Sequence, residues 1–225
     1  MGGGGFSMEP ENPLLDTYIL SQVKKERPQV CFIGTASGDN EEYIGRFYNS
    51  FKNMPCEPSH LSLFDPHTRD IEGFILSRDI IYAGGGSTKN MIALWREWGL
   101  DKIFKKAWEQ GVILSGLSAG GICWFEEGVT DSYHGELSGV KCLGFLSGSS
   151  CPHYDSDERR RPAYQKMVAE KVMMPGIAAD DGAAVHYIDG TLAHIVSSRP
   201  DSKAYRLDLA GDRVIETPLQ ARYLG

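Results

Sequence analysis

Val112-Ile113-Leu114-Ser115-Gly116-Leu117-Ser118-Ala119-Gly120-Gly121 decides the fold class. The apolar start reads as a buried strand. The small residues after it form a G-x-S-x-G run, Gly116-Leu117-Ser118-Ala119-Gly120, which leads into an expected helix. A sharp strand-to-helix turn forces such a serine into strained backbone and holds its hydroxyl out at the carboxyl edge of a sheet. There the N–H of Ala119 is a natural oxyanion donor.

Outward from this turn, apolar runs alternate with segments of helical period. Gln29–Gly34, His60–Phe64, Asp79–Ala83 and Leu143–Leu146 read as strands. Asn40–Phe51 reads as a helix, as does the segment that Ser87 caps after Gly84-Gly85-Gly86, and so does Asp157–Met173. Ala183–Leu209 reads as short strands joined by turns such as Asp189-Gly190. Strands alternating with helices imply an α/β domain with a mostly parallel sheet covered on both faces, and the strand-rich end implies an antiparallel edge. With no linker or repeat in view, residues 1–225 read as one domain. The run Gly2-Gly3-Gly4-Gly5 is of the kind that follows a strand, so either it is a free flexible start or a first strand is missing before Met1.

Composition removes whole classes of function. The net charge is 23 − 30 = −7, which argues against a general nucleic-acid binder, since that needs a basic face. The apolar runs are far shorter than the roughly 20 residues of a membrane span. Cys31, Cys56, Cys123, Cys142 and Cys151 show neither C-x-x-C pairing nor zinc spacing, so reduced, mostly buried thiols are expected. The amino terminus carries no basic-then-apolar signal, and a cytoplasmic location is expected. The remaining oddity is 26 glycines in 225 residues.

A nucleophilic serine needs a base. Of six histidines, His153 stands apart: it follows an apolar strand and Cys151-Pro152, on a loop at the carboxyl end of that strand, where open α/β sheets build their sites. The acid that orients the imidazole is open between two residues. Asp131 sits where the chain returns toward the sheet edge. Glu126 falls two turns down the expected helix, ~12 Å along its axis, and fits only if that helix breaks early. The order Ser118, Asp131, His153 matches α/β-hydrolases, but Ser118 and His153 lie too close in sequence for that fold.

Together these residues resemble peptidase family S51, that is dipeptidase E (α-aspartyl dipeptidase) and its relatives, cyanophycinase included. The resemblance spans nearly the whole chain. It rests on Gly84-Gly85-Gly86-Ser87-Thr88, Gly116-Leu117-Ser118-Ala119-Gly120, Cys151-Pro152-His153-Tyr154 and Asp180-Asp181-Gly182-Ala183-Ala184, in that order and spacing. Trp124-Phe125-Glu126 after the elbow is most similar to the bacterial peptidase-E-like branch. The resemblance implies a three-layer α/β/α sandwich, flavodoxin-like and similar to class I glutamine amidotransferases. It also implies Ser118 as nucleophile, His153 as base, and an oxyanion hole from Ala119 and Gly85. Members carry a strand before the first glycine run.

Arg159-Arg160-Arg161 concentrate positive charge just past His153 in an acidic chain, and guanidinium forks suit carboxylates. The expected substrate is a small peptide with an acidic N-terminal residue, an Asp-Xaa dipeptide above all. Arg160 or Arg161 would read the side chain, as the resemblance also implies, and Asp181 is a candidate for the free α-ammonium. No metal or organic cofactor, nucleic acid or membrane is called for, and a monomer or homodimer is expected. Two other readings fit the same residues: a cyanophycinase-like β-aspartyl peptidase or amidase, and a catalytically silent amidotransferase-like binding protein.

Overall fold

The structure is a computed structural model, and it describes residues 1–134 and 136–225. Its strands are β1 Gln29–Ile33, β2 Glu57–Leu61, β3 Ile80–Ala83, β4 Ile113–Gly116, β5 Phe125–Tyr133, β6 Glu136–Lys141, β7 Leu146–Cys151, β8 Gly176–Ala179, β9 Ala183–Ile188, β10 Thr191–Ser197, β11 Ala204–Ala210, β12 Arg213–Leu219 and β13 Arg222–Tyr223. Its helices are α1 Gly5–Met8, α2 Leu14–Leu20, α3 Glu41–Phe51, α4 Ile71–Leu76, α5 Thr88–Glu97, α6 Leu100–Glu109, α7 Ala119–Ile122 and α8 Arg160–Ala169.

The first half is an all-parallel sheet in the order β2-β1-β3-β4. β1 is buried on both faces, which is why it is written as a continuous apolar run. Val30 and Phe32 face Phe6, Phe47, Phe51 and Tyr82 on one side; Cys31 and Ile33 face Ile75, Met91, Trp95 and Phe104 on the other. Helices therefore cover both faces. Asn40 caps α3 by accepting from Tyr43 N, and Ser87 caps α5 by accepting from Asn90 N. In the second half the order is β12-β11-β8-β7-β5-β6, with β5, β7 and β8 mutually parallel and the outer strands antiparallel. β9 and β10 form a hairpin within a third sheet, β13-β10-β9. Asp189 and Gly190 both have positive φ (50° and 74°), as a two-residue type I′ turn requires.

The structure departs from the sequence reading after the elbow. The helix there lasts a single turn, α7, and Trp124-Phe125-Glu126 runs straight into β5, which forms a hairpin with β6. Gly128, a poor helix residue, together with β-branched and aromatic side chains at Phe125, Val129, Thr130 and Tyr133, outweighs continuation of the helix. The strand expected at Leu143–Leu146 is set later, as β7 from Leu146 to Cys151, and the helix expected from Asp157 narrows to α8.

Met1–Gly3 run extended between the two halves. Met1 N donates to Gly116 O at 2.9 Å, and Ser118 N donates to Met1 O at 3.1 Å. Gly3 bridges in parallel with Asp181, and Gly182 N donates to Gly3 O. Only glycine fits here, since a Cβ on Gly2 would lie 2.3 Å from Ala179 O.

Burial pushes the Met1 amine down to about 6, opposed by Cys123. The folded value lies below the unfolded one near 8, so the unfolded chain binds the extra proton between pH 6 and 8. Stability is therefore expected to rise across that window, by up to about 3 kcal/mol from this group. His60 and His186, whose values burial also lowers, act in the same sense. Urea midpoints at pH 6, 7 and 8 measure this, and a flat or falling series contradicts it.

Candidate active site

Three side chains converge, each two residues past the carboxyl end of a parallel strand. Ser118 follows β4, His153 follows β7 and Asp181 follows β8. β7 and β8 are adjacent, with Cys151 opposite Ala178, so His153 and Asp181 leave neighbouring strand ends. The Met1–Gly3 segment ties the elbow to the Asp181 loop.

Ser118 sits at φ 51°, ψ −119°, a region sparsely populated by residues other than glycine. The chain can make this turn because it folds onto β3: a Cβ on Gly120 would meet Ala83 O at 2.1 Å. His153 is also at positive φ, 53°. Its Nε2 lies 2.9 Å from Ser118 Oγ, and its Nδ1 lies 2.6 Å from Asp181 Oδ1. With the proton on Nδ1 facing the carboxylate, Nε2 is left to accept from the serine hydroxyl. The series can draw a proton off the serine and hold the resulting imidazolium.

Asp181 is buried and firmly seated. Its backbone N–H donates to Asp155 Oδ1 at 2.8 Å, and its carbonyl accepts from Ser202 Oγ at 2.6 Å. Burial pushes its pKa up, but hydrogen bonds from His153 and Ser156 and the charges of His153 and Arg199 outweigh this, leaving it below the ordinary carboxylate value. The group therefore stays ionised at neutral pH.

The two acids expected beside the imidazole are elsewhere. Asp131 is half exposed on β5 and lies 3.7 Å from Arg160. Glu126 does follow an early helix break, yet its Oε2 accepts from Gly148 N at 2.7 Å. Asp181, expected to meet a substrate ammonium, has its Oδ1 on the imidazole instead. Its signal was legible as an Asp-Gly just past a buried apolar strand, the placement that singled out His153.

The arginine expectations also change. Arg160 is buried, with Nη1 donating to Val129 O at 3.3 Å and Nε 3.3 Å from Asp157. Arg161 is ion-paired to Glu216 and lies over the rings of Tyr154 and Tyr205. Both guanidinium groups hold α8 in place. A cation beside the Asp181 loop is Arg199, which the sequence alone does not single out. Its stem packs where a Cβ on Gly182 would fall, 2.9 Å from Cδ, and its Nε pairs with Glu9 Oε1 at 2.7 Å. The N–H of Ala119 is the next donor along the elbow from Ser118. Gly85 packs against the serine, with its Cβ position 3.5 Å from Ser118 Cβ, but its N–H points to the Tyr43 hydroxyl at 3.2 Å.

Residues 1–195 match the sequence profile of peptidase family S51. The chain belongs to this family. As an S51 member it is a serine-type peptidase. It is 56% identical over 225 residues to the uncharacterized peptidase YgaJ of Bacillus subtilis (strain 168), covering 100% of this chain and 97% of that protein. Two solved structures share the fold at 18% identity each. One is a peptidase from an acI-B1 Actinobacterium (TM-score 0.70, covering 98% of this chain and 92% of that one). The other is a putative peptidase E from Listeria monocytogenes EGD-e (TM-score 0.56, 96% of each chain). Among the described residues of this S51 peptidase, no helix is long and apolar enough to cross a membrane.

Proposed function

We propose that this S51 peptidase is an exopeptidase that removes an N-terminal aspartate from dipeptides and short peptides, with Ser118, His153 and Asp181 as its catalytic triad. The observation that carries the proposal is the unbroken contact series from Ser118 Oγ through both nitrogens of His153 to Asp181 Oδ1. His153 takes the Ser118 proton as Oγ attacks the scissile carbonyl carbon, and Asp181 stabilises the imidazolium. The Ala119 N–H faces the tetrahedral oxyanion. His153 then protonates the leaving amine, and water, activated by the same imidazole, releases the acyl group from Ser118. Gly85 contributes by leaving room beside the nucleophile; its N–H joins the oxyanion hole once it turns from Tyr43.

Specificity is assigned to the pair Arg199 and Glu9. An N-terminal aspartate carries a β-carboxylate and an α-ammonium on one residue, and the pair offers one group of each opposite sign at the rim of the Asp181 loop. The Arg199 side chain is 41% exposed and so open to a ligand, while Glu9 is held by the Ser198 hydroxyl at 2.7 Å. Arg199→Met is expected to raise KM for Asp-Xaa dipeptides about tenfold or more, the size of one charge-assisted contact. KM for Ala-Xaa should barely change. An equal loss on both substrates removes Arg199 from recognition.

A further inference from the structure

Away from the triad, the β9–β10 hairpin brings two imidazoles together on one face. His186 and His194 are direct cross-strand partners, and their ring centroids lie 5.5 Å apart. The pairing depends on a β-bulge: Leu192 opposes Tyr187, and Ala193 is then passed over so that His194 opposes His186. A regular ladder would set Ala193 against His186 and turn His194 to the other face, since successive residues of a strand point to opposite faces. Tyr18 of α2 stands edge-on to the His186 ring, with its hydroxyl 2.8 Å from His186 Nδ1.

We propose that His186 and His194 form a site for a divalent transition cation such as zinc or nickel, ligated by one nitrogen of each imidazole and by water, with Tyr18 orienting His186 as a ligand. With Nδ1 donating its proton to the Tyr18 hydroxyl, Nε2 of His186 keeps its lone pair, the arrangement usual for metal-bound histidines. Among the described residues no group hydrogen-bonds to His194, which is exposed. A metal–nitrogen bond of about 2.0–2.1 Å, with ~1.1 Å from nitrogen to ring centre, puts two ligating rings about 5.2–5.5 Å apart at ligand angles of roughly 110–120°. The observed spacing falls in that range. Imidazole nitrogen suits zinc, nickel and copper, whereas magnesium and calcium take oxygen.

A proton competes with a metal for the same nitrogen. Burial, and then the neighbouring His194, holds His186 below the ordinary histidine value, so the ring is available at neutral pH. The Arg222 guanidinium, 5.9 Å from the Tyr18 ring centroid, opposes a dipositive ion. Among the described residues no third His, Cys, Asp or Glu joins the pair. Two imidazoles near one cation set a moderate affinity, on the order of 10 µM, as suits half the ligand set of a full structural zinc site. A bound ion ties β9 to β10, the strands that begin two residues after Asp181 and end two residues before Arg199.

The test is calorimetric titration of the tag-free, chelator-treated protein with zinc chloride at neutral pH. One equivalent is expected to bind, and His194→Ala and His186→Ala should each weaken binding at least ~10-fold. Tyr18→Phe should weaken it about tenfold, the cost of losing the group that orients a ligand. Because His194 is exposed, its variant should stay folded, which far-UV circular dichroism checks. His60→Ala serves as the control, since the His60 and His67 rings lie 6.0 Å apart at another edge of the molecule; it should bind zinc as the parent does. Magnesium chloride should give no binding heat. Parent-like zinc affinity in a folded His194→Ala variant, or no zinc binding by the parent, overturns the proposal, as does a loss in His60→Ala alone.

Discussion

Ser118→Ala should lower kcat/KM for Asp-Xaa dipeptides by about 10⁴–10⁶-fold, the loss expected when the nucleophile of a triad acting as a unit is removed. The fold should survive, because only a hydroxyl is removed. The elbow is held by backbone bonds that do not involve it, from the residue 118 N–H to Met1 O and from Gly121 and Ile122 N to the residue 118 carbonyl. Far-UV circular dichroism and a urea midpoint establish that the variant is folded, and hydrolysis is then followed by release of the free amino acid. Turnover within tenfold of the parent, in a folded variant, would mean that the serine is not the nucleophile and that the elbow is structural.

Asp181→Asn is the second large effect, and it discriminates among three acids. The carboxylate fixes the imidazole with its Nδ1 proton inward at 2.6 Å. An amide can present its N–H₂ there, favouring the tautomer whose Nε2–H can no longer accept from Ser118. A fall in kcat of about 10³–10⁴-fold with KM nearly unchanged is expected. Asp131→Asn and Glu126→Gln, whose carboxylates serve Arg160 and the Gly148 N–H, should stay within about threefold of the parent kcat, as changes remote from the reacting atoms do. A large kcat loss in either of those two, with Asp181→Asn near normal, would reassign the acid.

The contrast between these acids shows where sequence reasoning works and where it stops. The elbow is legible because its needs are local: an apolar strand, a serine in strained backbone, and glycines where the chain folds onto β3. His153 is legible for a similar reason, since Cys151-Pro152 after an apolar run marks a strand end. The partner of His153 is not local. It depends on β7 and β8 being neighbours, a fact of sheet order that no spacing along the chain encodes. Asp131 attracts attention because the chain is expected to return toward the sheet edge there; it does so along β5, parallel to β7, but its carboxylate stands by Arg160 while the imidazole takes Asp181.

The arginines are a different case. A run of three cations in an acidic chain looks like a recognition patch, but the fold already pairs Arg160 with Asp157 and Arg161 with Glu216. Arg160 is enclosed, and a buried guanidinium must be paired where it stands. Arg161 meets Glu216, which lies fifty-five residues away in sequence. Arg199 and Glu9 are 190 residues apart and carry no local signal in the sequence, yet the fold sets them at the rim of the Asp181 loop. The glycine surplus is likewise explained by contact rather than composition: Gly2 and Gly120 lie where backbones of different elements touch.

The most direct test of the central claim is peptide mapping by mass spectrometry after labelling the folded protein with a fluorophosphonate, with and without excess Asp-Xaa dipeptide. A stoichiometric adduct on Ser118, reduced by the dipeptide and lost in His153→Ala, is the predicted result. An adduct on another residue, or an unlabelled Ser118 in a preparation that hydrolyses Asp-Xaa dipeptides, would contradict the account.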